Sequence, residues 1–219
     1  MTNNLILKCV VGSQAHGLAD ENSDTDYRGV YVTPTRDILT IGYKYKGSNW
    51  IEDKEDQTTY EISHFLDLAL KCNPSILEVF VAPIQEGSPL GYELRDLFSD
   101  IWNPNDAFNA FTGYSYNQRK KLLEKKDGRP KKFAVAYLRT LWNLCDLLEK
   151  ESFSLEIKDP KFKQQLLDIK YCDVLDIGYV INEAEGLTET AKNLLEGCKH
   201  EANPKKVNDF LLKVRKNNW

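Results

Sequence analysis

Residues 10–32 read VVGSQAHGLADENSDTDYRGVYV. An apolar run stops at Gly12-Ser13, a polar loop follows, and the chain turns apolar again around Asp24 and Asp26. Just upstream, residues 5–11 (LILKCVV) are apolar, rich in β-branched side chains and ended by glycine, the composition of a buried strand. Residues 25–34 (TDYRGVYVTP) read as a second strand closed by Pro34. Side chains two apart on a strand share a face, about 7 Å apart along it. Asp24 and Asp26 are therefore expected to point the same way, with Thr25 on the other side. Carboxylates held that close repel one another unless a positive charge sits between them. Mg²⁺ is suited to the place, because it takes hard oxygen ligands and often binds one or two carboxylates together with substrate phosphates. The same D-x-D spacing also serves turns and helix caps, so alone it leaves both readings open. Gly12-Ser13 shifts the balance. Gly12 has no Cβ to hold an anion away, Ser13 offers a hydroxyl, and a following helical turn would aim free N–H groups at the same place.

The rest of the chain bounds what that constellation can belong to. With 219 residues, 42% apolar and 28% charged, it has the length and make-up of one large or two small globular domains. No apolar run approaches the ~20 residues of a membrane span. The start, MTNNLILKCVVGS, has no basic leader region and runs straight into a strand-like stretch, so no signal peptide and a cytoplasmic protein are expected. Five scattered cysteines without a C-x-x-C pair argue against a disulfide framework and a zinc knuckle. The net charge is −4, yet residues 119–132 (RKKLLEKKDGRPKK) hold eight basic residues against two acidic ones, and a second basic stretch runs from Lys205 to Lys216. Each stretch is either a solvated helix face or a phosphate-facing patch.

Beyond the second strand, residues 45–57 read as a charged loop or hairpin and 58–62 (TTYEI) as a strand. From Ser63 the spacing of Phe65, Leu66, Ala69 and Leu70 predicts a helix that stops before Pro74. Residues 75–83 (SILEVFVAP) fit a short helix or a strand equally. A boundary is expected near residues 100–106, dividing a first domain, 1–105, from a helical domain, 106–219. Helices are predicted over 107–125 and 131–151, the second with Phe133, Ala136, Tyr137, Thr140, Leu141, Leu144 and Leu148 as one stripe. Gly128 and Pro130 mark the turn between them. Two or three further helices follow.

The run GS…SDTDYRGVYV resembles the signature of the DNA polymerase β-like nucleotidyltransferases, in which an apolar strand ends in Gly-Ser and D-x-D follows about ten residues later. With YEISHFLDLALKCNPSILEVF, the match over roughly residues 5–82 is similar to one branch, bacterial and phage nucleotidyltransferases associated with RNA repair. His16 departs from the aromatic residue more usual there. The resemblance implies an α+β fold: a small mixed sheet with flanking helices, followed by a helical domain. It implies transfer of a nucleoside monophosphate from an NTP by a two-metal mechanism, with two Mg²⁺ ions for which Mn²⁺ can substitute. Asp24 and Asp26 would hold metal. A third carboxylate is implied on a neighbouring strand, with Asp53, Glu55, Asp56 and Glu61 as candidates; Glu61 is preferred for its apolar neighbours Tyr60 and Ile62. Gly12 and Ser13 would cradle phosphates, with Ser23 bracing the turn or touching nucleotide. Arg28 would pair with the aspartates. Lys132 and Arg139, with Lys120, are candidate nucleotide contacts in the basic second half, where Tyr114 and Tyr116 could stack a base. His16, His64 and His200 are weaker candidates for proton transfer. The acceptor is expected to be an RNA 3′ end, with no membrane partner; transfer to a protein side chain and an inactive binding module are the alternatives.

Overall fold

The computed structural model describes residues 4–52 and 56–219, with the backbone alone for residues 50–52 and 56. The chain forms two compact units: Met1–Lys71, Ser75–Trp102 and Ala202–Trp219 make the first, and Cys72–Pro74 with Asn103–Glu201 the second.

The first unit is built on β1 (Asn4–Val11), which runs into a single helical turn, α1 (Gly12–His16), and returns as β2 (Asp26–Val32). After the short α2 (Thr35–Ile38) come β3 (Ser48–Glu52) and β4 (Asp56–Glu61), so the charged segment is a hairpin. Helices α3 (Ile62–Leu70) and α4 (Pro74–Val81) follow, then β5 (Ile84–Gly87), α5 (Pro89–Arg95) and α6 (Phe98–Ile101). The strand order is β3-β4-β2-β1-β5; β2 and β4 run parallel and the other pairs antiparallel. This is the mixed sheet with flanking helices of an α+β fold. Residues 75–81, ambiguous in sequence, are helical: Ile76, Leu77, Val79 and Phe80 are all buried, and a segment buried on every side carries no periodicity to read. Cys9 of β1 donates its thiol to the Val79 carbonyl, and burial pushes that thiol up to about 11. Gly91 lets α5 lie directly on β1, since a Cβ there would stand 2.1 Å from the Ile6 carbonyl oxygen.

The second unit contains α7 (Pro104–Leu123), α8 (Pro130–Lys150), α9 (Pro160–Tyr171) and α10 (Ile177–Gly197). Three of the four open on a side-chain cap, Asn103, Asp159 or Asp176, that accepts a first-turn N–H, and three carry proline at the first turn. Helix α8 packs on α7, α9 and α10, with Trp142 stacked on Phe162 at 4.1 Å between ring centroids. Gly128 does not end α7, which stops at Leu123; it closes a 3₁₀ turn in which Lys125 and Asp127 have positive φ.

The last helix, α11 (Pro204–Asn217), departs from the expected division at residue 105, because it packs within the first unit rather than with the other helices. Its buried Val207, Phe210 and Val214 form an apolar stripe, and it packs on α3 and α6. Its cations are structural: Lys206 pairs with Asp100 at 2.6 Å, Lys213 with Glu93, and Arg215 with Glu61. Three of the five cations between Lys205 and Lys216 are therefore tied to acidic groups of their own unit. Among the described residues, no helix is long and apolar enough to cross a membrane.

The Arg215–Glu61 pair yields the first test. Arg215→Ala leaves a fully buried carboxylate without its counter-charge and is expected to cost about 3–5 kcal/mol in urea unfolding. The double variant Glu61→Leu with Arg215→Met should lose much less. A cost below about 1 kcal/mol for Arg215→Ala would show that the pair is solvated.

Candidate active site

The site forms where β1 ends and β2 begins. Val11, the last residue of β1, stands opposite Asp26, the first of β2. The next residue, Gly12, adopts φ +67°, in the left-handed region where a side chain is strained. There is also no room for one: a Cβ on Gly12 would lie 2.1 Å from Asp26 Oδ2. The Asp26 carboxylate is thus seated against the bare backbone of the Gly-Ser turn. Twelve residues lie between these two features in sequence; the strand pairing brings them into contact.

Asp24 lies two residues before β2, exposed, whereas Asp26 is half-buried. The pair is therefore a strand residue and a loop residue, not two residues of one strand. The loop between Gly12 and Asp24 is organised by its own side chains. Gly17, with φ +67°, ends α1, and Leu18 N donates to the Ser13 carbonyl at 3.0 Å. Asp20 Oδ1 accepts from Asn22 N and from Ser23 Oγ, both at 3.0 Å, while Ser23 Oγ accepts from Asp20 N at 2.9 Å. Ser23 thus braces the turn that delivers Asp24. His16 is buried at the end of α1.

Glu61 is not brought to this place. Register sets it opposite Tyr31, and β4 begins five residues earlier, about 17 Å along the sheet at ~3.3 Å per residue. Its carboxylate is 0% exposed and surrounded by donors. Ser63 N at 2.8 Å and Ser63 Oγ at 2.6 Å reach Oε2, Thr33 N reaches Oε1 at 3.4 Å, and Arg215 Nη2 reaches both oxygens at 2.7 and 2.8 Å. Glu61 caps α3 and anchors α11. Apolar flanks suit a buried structural carboxylate as well as a catalytic one, which is why its sequence context misleads.

Of the other candidates, Asp53 and Glu55 lie outside the described residues. Asp56 starts β4. The first registered pair of the parallel strands is Tyr27 with Gln57, so the residue before each, Asp26 and Asp56, are lateral neighbours in the backbone. The sequence signal for this position is that DQTTYE is one strand, whose acidic first residue adjoins the charged loop.

Arg28 follows Asp26 by two positions, opposite Cys9, and its Nε is buried without a hydrogen-bond partner. His64 packs beside Tyr60, with ring centroids 6.4 Å apart, and His200 lies 3.4 Å from Glu151. Lys132 and Arg139 both belong to α8 of the second unit; Lys132 is exposed and Arg139 buried, so seven-residue spacing did not give them equal access.

A family model spanning residues 1–166 matches this chain: RlaP, the RNA repair pathway DNA polymerase beta family. The chain belongs to that family. A comparison with curated proteins found no match. The RlaP match covers Gly12-Ser13, Asp24 and Asp26, the whole five-stranded sheet, α7, α8 and part of α9. Helix α11, with the Arg215 that engages Glu61, lies beyond it.

The donors at the RlaP site suit a hard divalent cation. Asp24 and Asp26 offer carboxylate oxygens, and the missing Cβ of Gly12 makes the room that the Asp26 carboxylate takes. Among the described residues no three His, Cys, Asp or Glu side chains converge, and residue 56 is the acidic position next to Asp26 along the sheet.

The close approach at Gly12 gives a direct test. Gly12→Ala is expected to cost about 1–2 kcal/mol from the left-handed backbone, plus a share from its clash with Asp26. In a double-mutant cycle, Asp26→Ala should relieve that share, giving a coupling of about 0.5–3 kcal/mol. Simple additivity would mean that the carboxylate does not rest on Gly12.

Proposed function

We propose that this protein transfers a nucleoside monophosphate from an NTP to an acceptor hydroxyl, an RNA 3′ end, and releases pyrophosphate. The observation that carries the reading is the seating of Asp26 against the Cβ-less, positive-φ Gly12, which joins the Gly-Ser turn and the D-x-D motif into one site. Membership of the RNA repair polymerase beta family supports both the reaction class and the acceptor.

In the reaction, the acceptor oxygen forms a bond to the α-phosphorus as the bond from that phosphorus to the bridging oxygen breaks. Pyrophosphate leaves with the electron pair, and the acceptor proton passes to a carboxylate of the site or to water. Asp24 and Asp26 would hold two Mg²⁺ ions together with a third carboxylate, which we assign to Asp56 rather than Glu61; the ions neutralise phosphate charge and polarise the reacting oxygens. The chain's own part is positional. The tight turn at Gly12 lets the Asp26 carboxylate lie against the backbone, and Ser13 adds a hydroxyl at the same turn that a phosphate could meet. Asp20 and Ser23 hold the loop that carries Asp24, so the entropy of ordering that loop is spent in folding rather than at each turnover.

The test is transfer of label from each α-³²P NTP, with Mg²⁺ or Mn²⁺, into total RNA and total protein. Label is expected in RNA and absent with Asp24→Asn or Asp26→Asn. A metal contribution of several kcal/mol corresponds to about 1,000-fold at tenfold per ~1.4 kcal/mol. Asp56→Asn should fall as far, while Glu61→Gln, if folded, should keep activity within about tenfold of the parent, since a structural role bears on stability first. Equal collapse of Glu61→Gln with an intact fold, and full activity of Asp56→Asn, would reverse the assignment. Label in protein alone would replace the RNA acceptor with a side-chain hydroxyl.

A further inference from the structure

The second unit carries a cavity to which none of Gly12, Ser13, Asp24 and Asp26 contributes. It has a volume of about 320 Å³ and lies along the last turns of α7 and the turn beyond. Tyr114, Asn117, Gln118, Lys120 and Lys121 line it from the helix, and Lys126 from the turn. Glu124 is the one carboxylate in the lining, 3.9 Å from Lys120. Three lysines thus face one glutamate. Lysines in a last helical turn also suit the helix dipole, but that does not account for Lys126, which lies past the helix. Nor does it account for a concave lining that includes the side-chain amides of Asn117 and Gln118, the latter buried.

We propose that this cavity is a subsite for one nucleotide of a single-stranded polynucleotide, the acceptor strand. Its size is at the small end of the ~300–1,000 Å³ typical of ligand sites, which suits a single nucleotide unit. Lysine ammoniums meet phosphates as point charges. A tyrosine ring gives a base a stacking surface, and two amides can each donate to and accept from a base edge. A metal-bound triphosphate fits poorly, because the lining offers one carboxylate, already beside a lysine, and no glycine turn. The turn places Lys126 by an uncommon backbone route, with Lys125 at φ 48° and Asp127 at φ 55°.

This inference rests on the reading that the acceptor is RNA, and its test is kept apart from transfer. Full-length protein carrying Asp24→Asn and Asp26→Asn is titrated with a short fluorescent single-stranded RNA, without NTP, at several salt concentrations. Replacing Lys120, Lys121 and Lys126 by alanine should weaken binding at least tenfold. It should also lower the salt slope by about 2, from three phosphate contacts at ~0.7 each. Tyr114→Ala should weaken binding about tenfold with the salt slope unchanged, as loss of one stacked base does. The same charge removed at the exposed Lys158, Lys192 and Lys199 should do far less. The proposal is overturned if both triple variants weaken binding alike, or if the salt slope does not move. It also fails if excess ATP displaces the RNA and the cavity variant has lost ATP binding, which would make the cavity a free-nucleotide site. Lysine-dependent binding without any label transfer would sink the transferase reading and leave this subsite standing; RNA labelled with no dependence on these lysines would do the reverse.

Discussion

A carboxylate with no exposure to water must be surrounded by donors, and Glu61 imposes that demand on the first unit. Its partners come from three parts of the chain. Ser63 at the start of α3 is local, Thr33 follows β2, and Arg215 sits on α11, 154 residues away. Arg215 also donates to the Thr33 carbonyl at 3.1 Å, and Thr35 closes the arrangement by donating its hydroxyl to the Arg215 carbonyl at 2.6 Å and its N–H to the Asn218 carbonyl at 2.7 Å. One end of the β2–β4 pair is thereby locked to the C-terminal helix.

The opposite end of the same two strands carries the candidate site. There β2 begins with Asp26, β4 begins with Asp56, and β1 ends in the Gly12 turn. Parallel pairing of β2 with β4 is what separates the two roles, since both strands then start at one edge and finish at the other. Rigid packing at the finish steadies the start, where Asp26 must hold its position against the Gly12 turn. Functional groups built on strands that are anchored elsewhere keep their geometry better than groups on loops. Asp24, the loop member of the motif, gains comparable order from the Asp20–Ser23 turn.

Much of this was legible in the sequence for local reasons. β1 and β2 announce themselves by composition and by their punctuation at Gly12 and Pro34, and α7 and α8 by periodicity and prolines at their first turns. The contact of Gly12 with Asp26 follows once the two strands are taken as a hairpin. What was not legible depends on pairing over distance. Nothing near Glu61 in sequence shows that Arg215 will take both its oxygens, so a buried structural carboxylate read as a metal ligand. Asp56 was hidden in the run EDKEDQ, where one strand ends and another starts with the same charge on both sides. The apolar stripe of α11 can be read from its periodicity, but that it packs on α3 and α6 and brings Arg215 to Glu61 cannot.

The return of α11 also makes residues 103–201 an insertion. The chain leaves the first unit after Trp102 and comes back at Ala202, and Asn203 N donates to the Asp100 carbonyl at 2.8 Å, so departure and return lie at one point. During synthesis this sets an order. The inserted helices are complete while the unit that carries Asp26 still lacks its last segment. Glu61 waits for Arg215 across 154 residues, about 8–30 s of translation at 5–20 residues per second. Until then the Glu61 carboxylate lacks its counter-ion and has only Ser63 and Thr33 as donors. A message cut short anywhere before that arginine would therefore yield a polypeptide with its D-x-D motif present but its scaffold unfinished, exposed to proteases rather than released as a half-working enzyme.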